Sequence, residues 1–381
     1  MHPLLRHGLA LSVALAVGYA FPGWWCGREA DAWLRGEPTT QQALANEQVA
    51  FEAADDELRV GQKPEKDRFA GEWALVTHQM TALGLAQLCL VHPEWKERYV
   101  TALTRAAIKS FLPEMRDFGT RAWHGEDAMA SLGGSHGHAY LAYPALAVGM
   151  ARLLDPTFPH DIAAKHDALI AAYERRLLAS PTGLIETYPG EAYPTDVAAV
   201  AGAIAVHGRV TGMDHRKVLA RWAERVRAVQ IDRPSGYVIQ RMGAEDGAAH
   251  DAPRGSGTGL AAYFAGFADR SLAKELGDAV VAHESAFMRF GGIREYAEGH
   301  HGLGDIDSGP VVLGISVSAT GFALAPARAL GHGDAFKALY RTTELFGLYA
   351  ENAGRGRFAV GGSIGNALLL ALLTSGPEVA P

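Results

Sequence analysis

Cysteine is nearly absent from this chain. With only Cys26 and Cys89 in 381 residues, the sequence holds at most one disulfide and no thiolate-built metal cluster, which excludes a disulfide scaffold and a zinc ribbon. Positive charge is not in excess either. Thirty-five Lys and Arg against 42 Asp and Glu leave a formal charge of −7, so no basic field is available for the phosphate backbone of a nucleic acid. Neither Gly-x-Ser-x-Gly match, Gly133 to Gly137 or Gly361 to Gly365, follows a segment with strand patterning, as a nucleophile elbow must, and no Walker phosphate loop is present. Gly255-Ser256-Gly257-Thr258-Gly259 lacks the preceding strand and the spacing of a dinucleotide fingerprint. Nucleotide chemistry is thereby disfavoured, and no cofactor is expected.

Sustained period-two alternation with β-branched residues is also lacking, whereas apolar residues at i, i+3, i+4 and i+7 recur from Phe69 onward. The chain therefore reads as all-α. The periodic segments come in twos: 69–91 with 94–118, 135–154 with 160–179, 195–211 with 214–229, 256–268 with 271–287, and 310–330 with 334–349. A last apolar helix over 362–373 has no successor and an N-terminal helix over 39–58 has no partner, so joining them supplies a sixth pair. The first helix of each pair is apolar all round, as in Val197 to Ala205, and the second carries the charge, as in Arg216 to Arg227. Apolar helices belong inside and amphipathic ones outside. Their spacing of roughly 50 to 65 residues suits an array of helical hairpins, and the complementary ends predict a closed (α/α)6 toroid over residues 30–377 as a single domain.

Residues 1–25 read separately. A basic start, an apolar run from Gly8 to Phe21 and the small-x-small step Gly18-Tyr19-Ala20 have the form of a secretory signal. Including Pro22 to Trp25 makes an uncleaved anchor over residues 4–25 an alternative. Either form implies export, to the periplasm or to the cell envelope as a membrane-attached protein.

Connections within a pair are short, while those leading into the inner helices are long and dense in polar and aromatic residues. Long loops in a compact domain are usually functional, and a toroid puts these five on one face over its central hole. They supply the expected site. Asp196 stands at the start of an apolar helix, where capping competes with a carboxylate facing the pocket beside Tyr188, Tyr193 and Glu191. Asp305 and Asp307 precede Ser308-Gly309-Pro310, and two acids exceed what one helix cap needs. Arg254 suits hydroxyl or anion recognition, or braces a loop. Trp123, Asp127, Tyr143 and Tyr296 complete the expected substrate wall. His138 is read as an acid or base. His136 with His138 and the pair His300-His301 lack a third ligand and the helical i, i+4 spacing, so no metal is expected. His78 and His207 read as structural.

The stretch from residue 71 to residue 214 resembles the bacterial linalool dehydratase/isomerase family, an (α/α)6-barrel group acting on monoterpene alcohols. The resemblance rests on an early helix pair, Trp123, Gly137-His138 leading into Ala139-Tyr140-Leu141-Ala142-Tyr143, and Gly183-Leu184-Ile185-Glu186 before a Pro-containing loop. It implies an active-site role for His138. Where that family has a Cys-Glu-Pro-Asn element and a second cysteine, this chain has Glu191-Ala192-Tyr193-Pro194-Thr195-Asp196, so carboxylates stand in place of thiols.

These readings converge on an exported lyase or isomerase that moves protons on a small hydroxylated, terpenoid-like substrate, with His138, Glu191, Asp196, Asp305 and Asp307 as its chemical groups. A glycoside hydrolase or sugar epimerase using two of the carboxylates is the alternative on the same fold. A third reading is a non-catalytic ligand-binding protein of the cell surface.

Overall fold

Six apolar helices have no face to offer water, and burying one another is what organises this chain. The structure, a computed structural model, describes residues 3–54, 68–134, 137–305 and 308–376. Its helices in chain order are α1 (Pro3–Trp25), α2 (Ala30–Arg35), α3 (Pro38–Ala53), α4 (Arg68–Val91), α5 (Lys96–Ser110), α6 (Pro113–Ala122), α7 (Ala142–Leu154), α8 (His160–Ala179) and α9 (Pro194–Thr211). They continue with α10 (Arg216–Arg225), α11 (Gly255–Ala265), α12 (Arg270–Ala282), α13 (Val317–Phe322), α14 (Leu324–Ala329), α15 (Gly333–Gly347) and α16 (Gly362–Thr374).

The inner ring runs α4, α7, α9, α11, then α13 with α14, then α16, which packs back on α4. The toroid is closed. Helix α9 shows the logic of an inner member: Pro194 opens it and left-handed Gly212 ends it. Every residue from Pro194 to His207 between those signals is buried. Its outer partner α10 buries only Val218, Trp222 and Ala223 and exposes Arg216, Lys217 and Glu224. The closing seam is fixed at the far end of the hole. There the Gln87 amide donates to the Ala371 carbonyl (2.7 Å) and to Thr374 (3.0 Å) while accepting from the Tyr263 hydroxyl (3.2 Å). Three inner helices share that one side chain, so its polar atoms are satisfied without water. Helix α3 packs outside α16 and makes the expected sixth pair.

The differences from the sequence reading are local. Pro113 splits the second helix into α5 and α6. The fifth inner helix starts at Val317, where the Ser316 hydroxyl accepts from the Ala319 amide, and not at Pro310. It then breaks into α13 and α14. The residues ahead of it form part of a small antiparallel sheet ordered β1 (Glu284–Phe287), β2 (Phe290–Arg294), β4 (Ile315–Ser316), β3 (Val311–Val312). A second hairpin, β5 (Tyr349–Asn352) with β6 (Arg355–Phe358), lies against α3. These strands are two to five residues long, too short to carry a period-two signal. Residues 55–58 of the expected N-terminal helix lie outside the described residues.

Cys26 and Cys89 are free and buried apart. Beside Cys26, the side chain of Glu344 on α15 is buried with Oε2 unpartnered, and burial pushes its carboxyl up from 4.5 to about 7. In the unfolded chain this acid ionises near 4.5, so its contribution to stability falls as pH rises from 4.5 through 7 and stays low above. Glu344→Gln is therefore expected to match the parent at pH 4.5 and to exceed it by about 3 kcal/mol at pH 8. Urea unfolding at the two pH values checks this.

Candidate active site

The long connections do meet over the ring. They and the upper turns of the inner helices enclose a cavity of about 1110 Å³, large enough for a ligand of some tens of heavy atoms. Its wall is divided by ring position. Helices α4, α7, α9 and α11 with the loops before them contribute Glu72, Tyr143, Tyr188, Glu191, Asp196 and Arg254, whereas α13, the end of α15 and α16 contribute Val317, Phe322, Phe346, Ile364, Leu368 and Leu372. One half is acidic and hydroxyl-rich. The other is mainly hydrocarbon and carries no charged side chain, with the hydroxyls of Ser318, Thr320, Thr342 and Thr343 set among the apolar groups.

Asp196 is the centre of the polar half. It occupies the first turn of α9, where the partial positive charge of the helix N-terminus favours an anion. Its carboxylate is held by side chains from two other elements: the Tyr143 hydroxyl donates to Oδ1 at 2.5 Å and the Thr187 hydroxyl to Oδ2 at 2.6 Å. Both oxygens thus accept, which the carboxylate form satisfies. Burial and the neighbouring negative charges, Asp196 first, push the Tyr143 phenol well above its ordinary value, so it stays protonated and donates. Thr187 is itself fixed from behind, because the Trp123 indole donates to its carbonyl at 3.0 Å.

Around this centre the loop 187–191 folds back on itself, with the amides of Thr187 and Tyr188 donating to the Glu191 carbonyl. That turn delivers two more tyrosine and carboxylate pairs. The Tyr188 hydroxyl donates to Glu72 on α4 at 3.0 Å and the Tyr193 hydroxyl to Glu191 at 2.9 Å. Arg241 stands 3.7 Å from Glu191. At the next position round the ring Arg254, buried, forms an ion pair with Asp251 at 2.6 Å and a second with Asp305. Burial pushes the Asp305 carboxyl up, but the Ser308 amide and the Arg254 charge outweigh it and hold it below its ordinary value. Arg254 therefore braces its loop and lines the cavity at once.

Seven of the expected residues line the cavity: Tyr143, Tyr188, Glu191, Tyr193, Asp196, Arg254 and Asp305. Four stand elsewhere. His138 is fully buried behind the wall, its Nε2 at 3.1 Å from the Ser131 hydroxyl and 3.4 Å from Glu126, its ring 4.2 Å from Trp123. Burial pushes its imidazole down to about 4, so it is neutral, and its backbone carbonyl accepts from the Tyr173 hydroxyl at 2.9 Å. It organises the loop entering α7. Trp123 reaches the site through its bond to the Thr187 carbonyl. Asp127 is tied to Arg116 at 3.1 Å, and Tyr296 lies beneath Arg254, 5.5 Å from the guanidinium carbon. Asp307 lies outside the described residues.

Glu72, Trp73, Gln240, Arg241 and Asp251 line the cavity without having been expected to. Glu72 had a signal: it is the one acid in the apolar run of α4, and a carboxylate on an all-buried helix asks for a partner. No group of three or more His, Cys, Asp or Glu able to hold a metal occurs among the described residues.

No family model matches this chain, and no curated protein is significantly similar to it. Two similar solved structures are both inactive variants of an α-1,6-mannanase, GH76A of Salegentibacter sp. HEL1_6. One, with α-1,6-mannotriose, is 12% identical with a TM-score of 0.44 and covers 79% of this chain and 88% of its own. The other, with α-1,6-mannotetrose, is 13% identical with a TM-score of 0.43 and covers 78% and 88%. Neither assigns a role to any residue here.

Proposed function

We propose that this chain is an acid/base enzyme, a lyase or isomerase, acting without a cofactor on a small amphiphilic alcohol of terpenoid type. The division of one cavity into a carboxylate and tyrosine half and a hydrocarbon half carries this reading. A substrate with one hydroxyl and a hydrocarbon body fits both halves, because the apolar wall is covered on binding and the hydroxyl finds partners. Two carboxylates of the tyrosine network, Asp196 held by Tyr143 and Glu72 held by Tyr188, divide the work. Asp196 accepts a proton from the carbon next to the carbinol carbon. Glu72, entering protonated, delivers its proton to the hydroxyl oxygen, so that the C–O bond breaks, water leaves and a carbon–carbon double bond forms. Run backwards with water added at another carbon, the same pair isomerises the alcohol. Tyr143 and Tyr188 hold the two carboxylates in register and face any cationic intermediate with their rings.

A second reading, a glycoside hydrolase, is favoured by a different observation. Five carboxylates line the polar half, Glu72, Glu191, Asp196, Asp251 and Asp305, with Trp73 and Tyr193 among them, more than one hydroxyl requires and a set that would suit a sugar ring.

A turnover screen of the purified protein against terpene alcohols and α- and β-linked oligosaccharides separates the two. Under the first reading Leu368→Gln, which puts an amide into the hydrocarbon half, is expected to raise KM for the alcohol about tenfold through lost apolar burial. Hydrolysis of an oligosaccharide, unmoved by Leu368→Gln, would transfer the assignment to the second.

A further inference from the structure

Helix α1 and the cavity mouth lie on the same side of the ring, and the surface around both is apolar. The direction of α1 is fixed by its contacts with α15. Lys337 pairs with Asp31 at 2.6 Å, and one turn further along α15 the Arg341 guanidinium donates to the Gly23 carbonyl at 2.9 Å. From Asp31 back to Gly27 the chain thus climbs one turn of α15 to Arg341, and Gly23 stands beside the same arginine, five residues before Phe346, which lines the cavity with Gly347. Gly23 fits only because it has no side chain: a Cβ there would stand 3.1 Å from the Met288 carbonyl oxygen. With Cys26 buried as well, the last turn of α1 is clamped to the body.

Beyond that clamp α1 leaves the protein. Leu9, Leu11, Val13, Leu15 and Val17 are all exposed, and the 19 residues of α1 before its clamped last turn, at 1.5 Å each, make about 28 Å, close to the bilayer core of about 30 Å. Where the helix meets the body, Phe21, Trp24 and Trp25 form an exposed aromatic cluster with ring centroids 5.8 to 6.4 Å apart, the residue types that collect at the headgroup level. Arg28 sits 3.6 Å over the Trp25 ring, and Arg289 and Arg341 flank Gly23, with Asp31 and Asp334 near Arg341. On a chain with net charge −7 this is a local basic collar, complementary to anionic headgroups. On the same face the cavity rim exposes Leu313 (93%), Val312, Phe346 and Leu348 (62%, 62% and 58%), with Val317 and Val360 above half, a patch of the kind that marks a contact surface.

We propose that α1 is retained as a single membrane anchor and that it holds the apolar rim of the cavity against an anionic phospholipid surface, so that the cavity opens onto the bilayer and its ligand is drawn from the lipid. This extends the reading of the hydrocarbon half by naming where an apolar ligand comes from. Its test uses no turnover, so it stands or falls apart from the proposed reaction.

The full-length protein is reconstituted in vesicles of phosphatidylcholine and phosphatidylglycerol containing acyl-brominated lipid. An environment-sensitive fluorophore is placed at Leu313→Cys, at Leu348→Cys or, on the α9–α10 turn of the opposite face, at Asp214→Cys; the native cysteines are buried. The expected result is a blue-shifted emission quenched severalfold at 313 and 348, with no change at 214, and an intact mass that retains the residues before Phe21. Equal, unquenched emission at all three sites, or a mature chain cut after Ala20, would overturn the proposal. So would shielding at 313 without lipid quenching but with cross-links between copies, which would make the rim a homomeric interface.

Discussion

Asp196→Asn is expected to lower kcat by about a thousandfold or more on whichever alcohol the protein turns over, with little change in melting temperature. The substitution keeps size and polarity, so the first turn of α9 and the packing of Tyr143 have no steric reason to move. What changes is proton chemistry. The carboxylate accepts from Tyr143 on one oxygen and Thr187 on the other. An amide accepts on one side only and must donate on the other, forcing one hydroxyl to turn and removing the group that takes the proton. Tyr143→Phe tests the same network more gently: it deletes one hydrogen bond to a carboxylate that stays in place, for an expected loss of about 10- to 100-fold and no new acidic limb in the pH profile. Paired measurements of kcat and thermal unfolding on the two variants decide it. An Asp196→Asn protein that keeps a tenth of the parent's kcat would remove Asp196 from the reaction and leave it a helix-terminus anion.

The ring was legible because hydrophobicity there is a matter of degree. An inner helix such as α9 is apolar on every face and an outer one such as α10 on a single stripe, and that contrast survives loops of any length. The sheet was not legible, since β3 and β4 are two residues each, β4 being held by pairing with β2 from earlier in the chain and β3 by pairing with β4. Among the site residues, Asp196 could be found because an acid entering an apolar helix has few bland explanations. Glu72 is equally conspicuous by that logic but sits within the apolar run of α4, where no long loop marks it as functional. His138 illustrates the opposite case. The motif around it resembles one in which that position is active, yet here Trp123 and Tyr173 close over it and its imidazole turns to Ser131 and Glu126. A local motif fixes the turn into α7; which side of the wall the ring occupies depends on the residues packed behind it.

Gly84→Val is expected to destabilise the protein by about 3 kcal/mol, the upper end of the ordinary cost of overpacking. Gly84 lies on α4 where α16 crosses it, and a Cβ at that position would stand 2.5 Å from Leu370 Cγ and 3.0 Å from the Ala371 amide nitrogen. Backbone on one side and a buried branched carbon on the other leave no flexible side-chain end to swing away, so the helices must separate. The two contacts are almost 290 residues apart in sequence, and they exist only because the last inner helix returns to the first. In an open stack of hairpins Gly84 would face solvent or its immediate neighbour, and valine there would be neutral or slightly stabilising, since glycine is the poorer helix former by a fraction of a kcal/mol. Gly321→Ala serves as the control, since a Cβ there meets nothing within 4 Å. Leu370→Ala supplies the decisive arm. By itself it leaves a cavity and costs about 2 to 5 kcal/mol, but beside Gly84→Val it makes room for the added methyls. The double variant is therefore expected to be more stable than the sum of the singles by over 1 kcal/mol, a coupling reserved for residues in contact. Strict additivity in urea unfolding would mean that α4 and α16 do not touch and that the toroid is not closed.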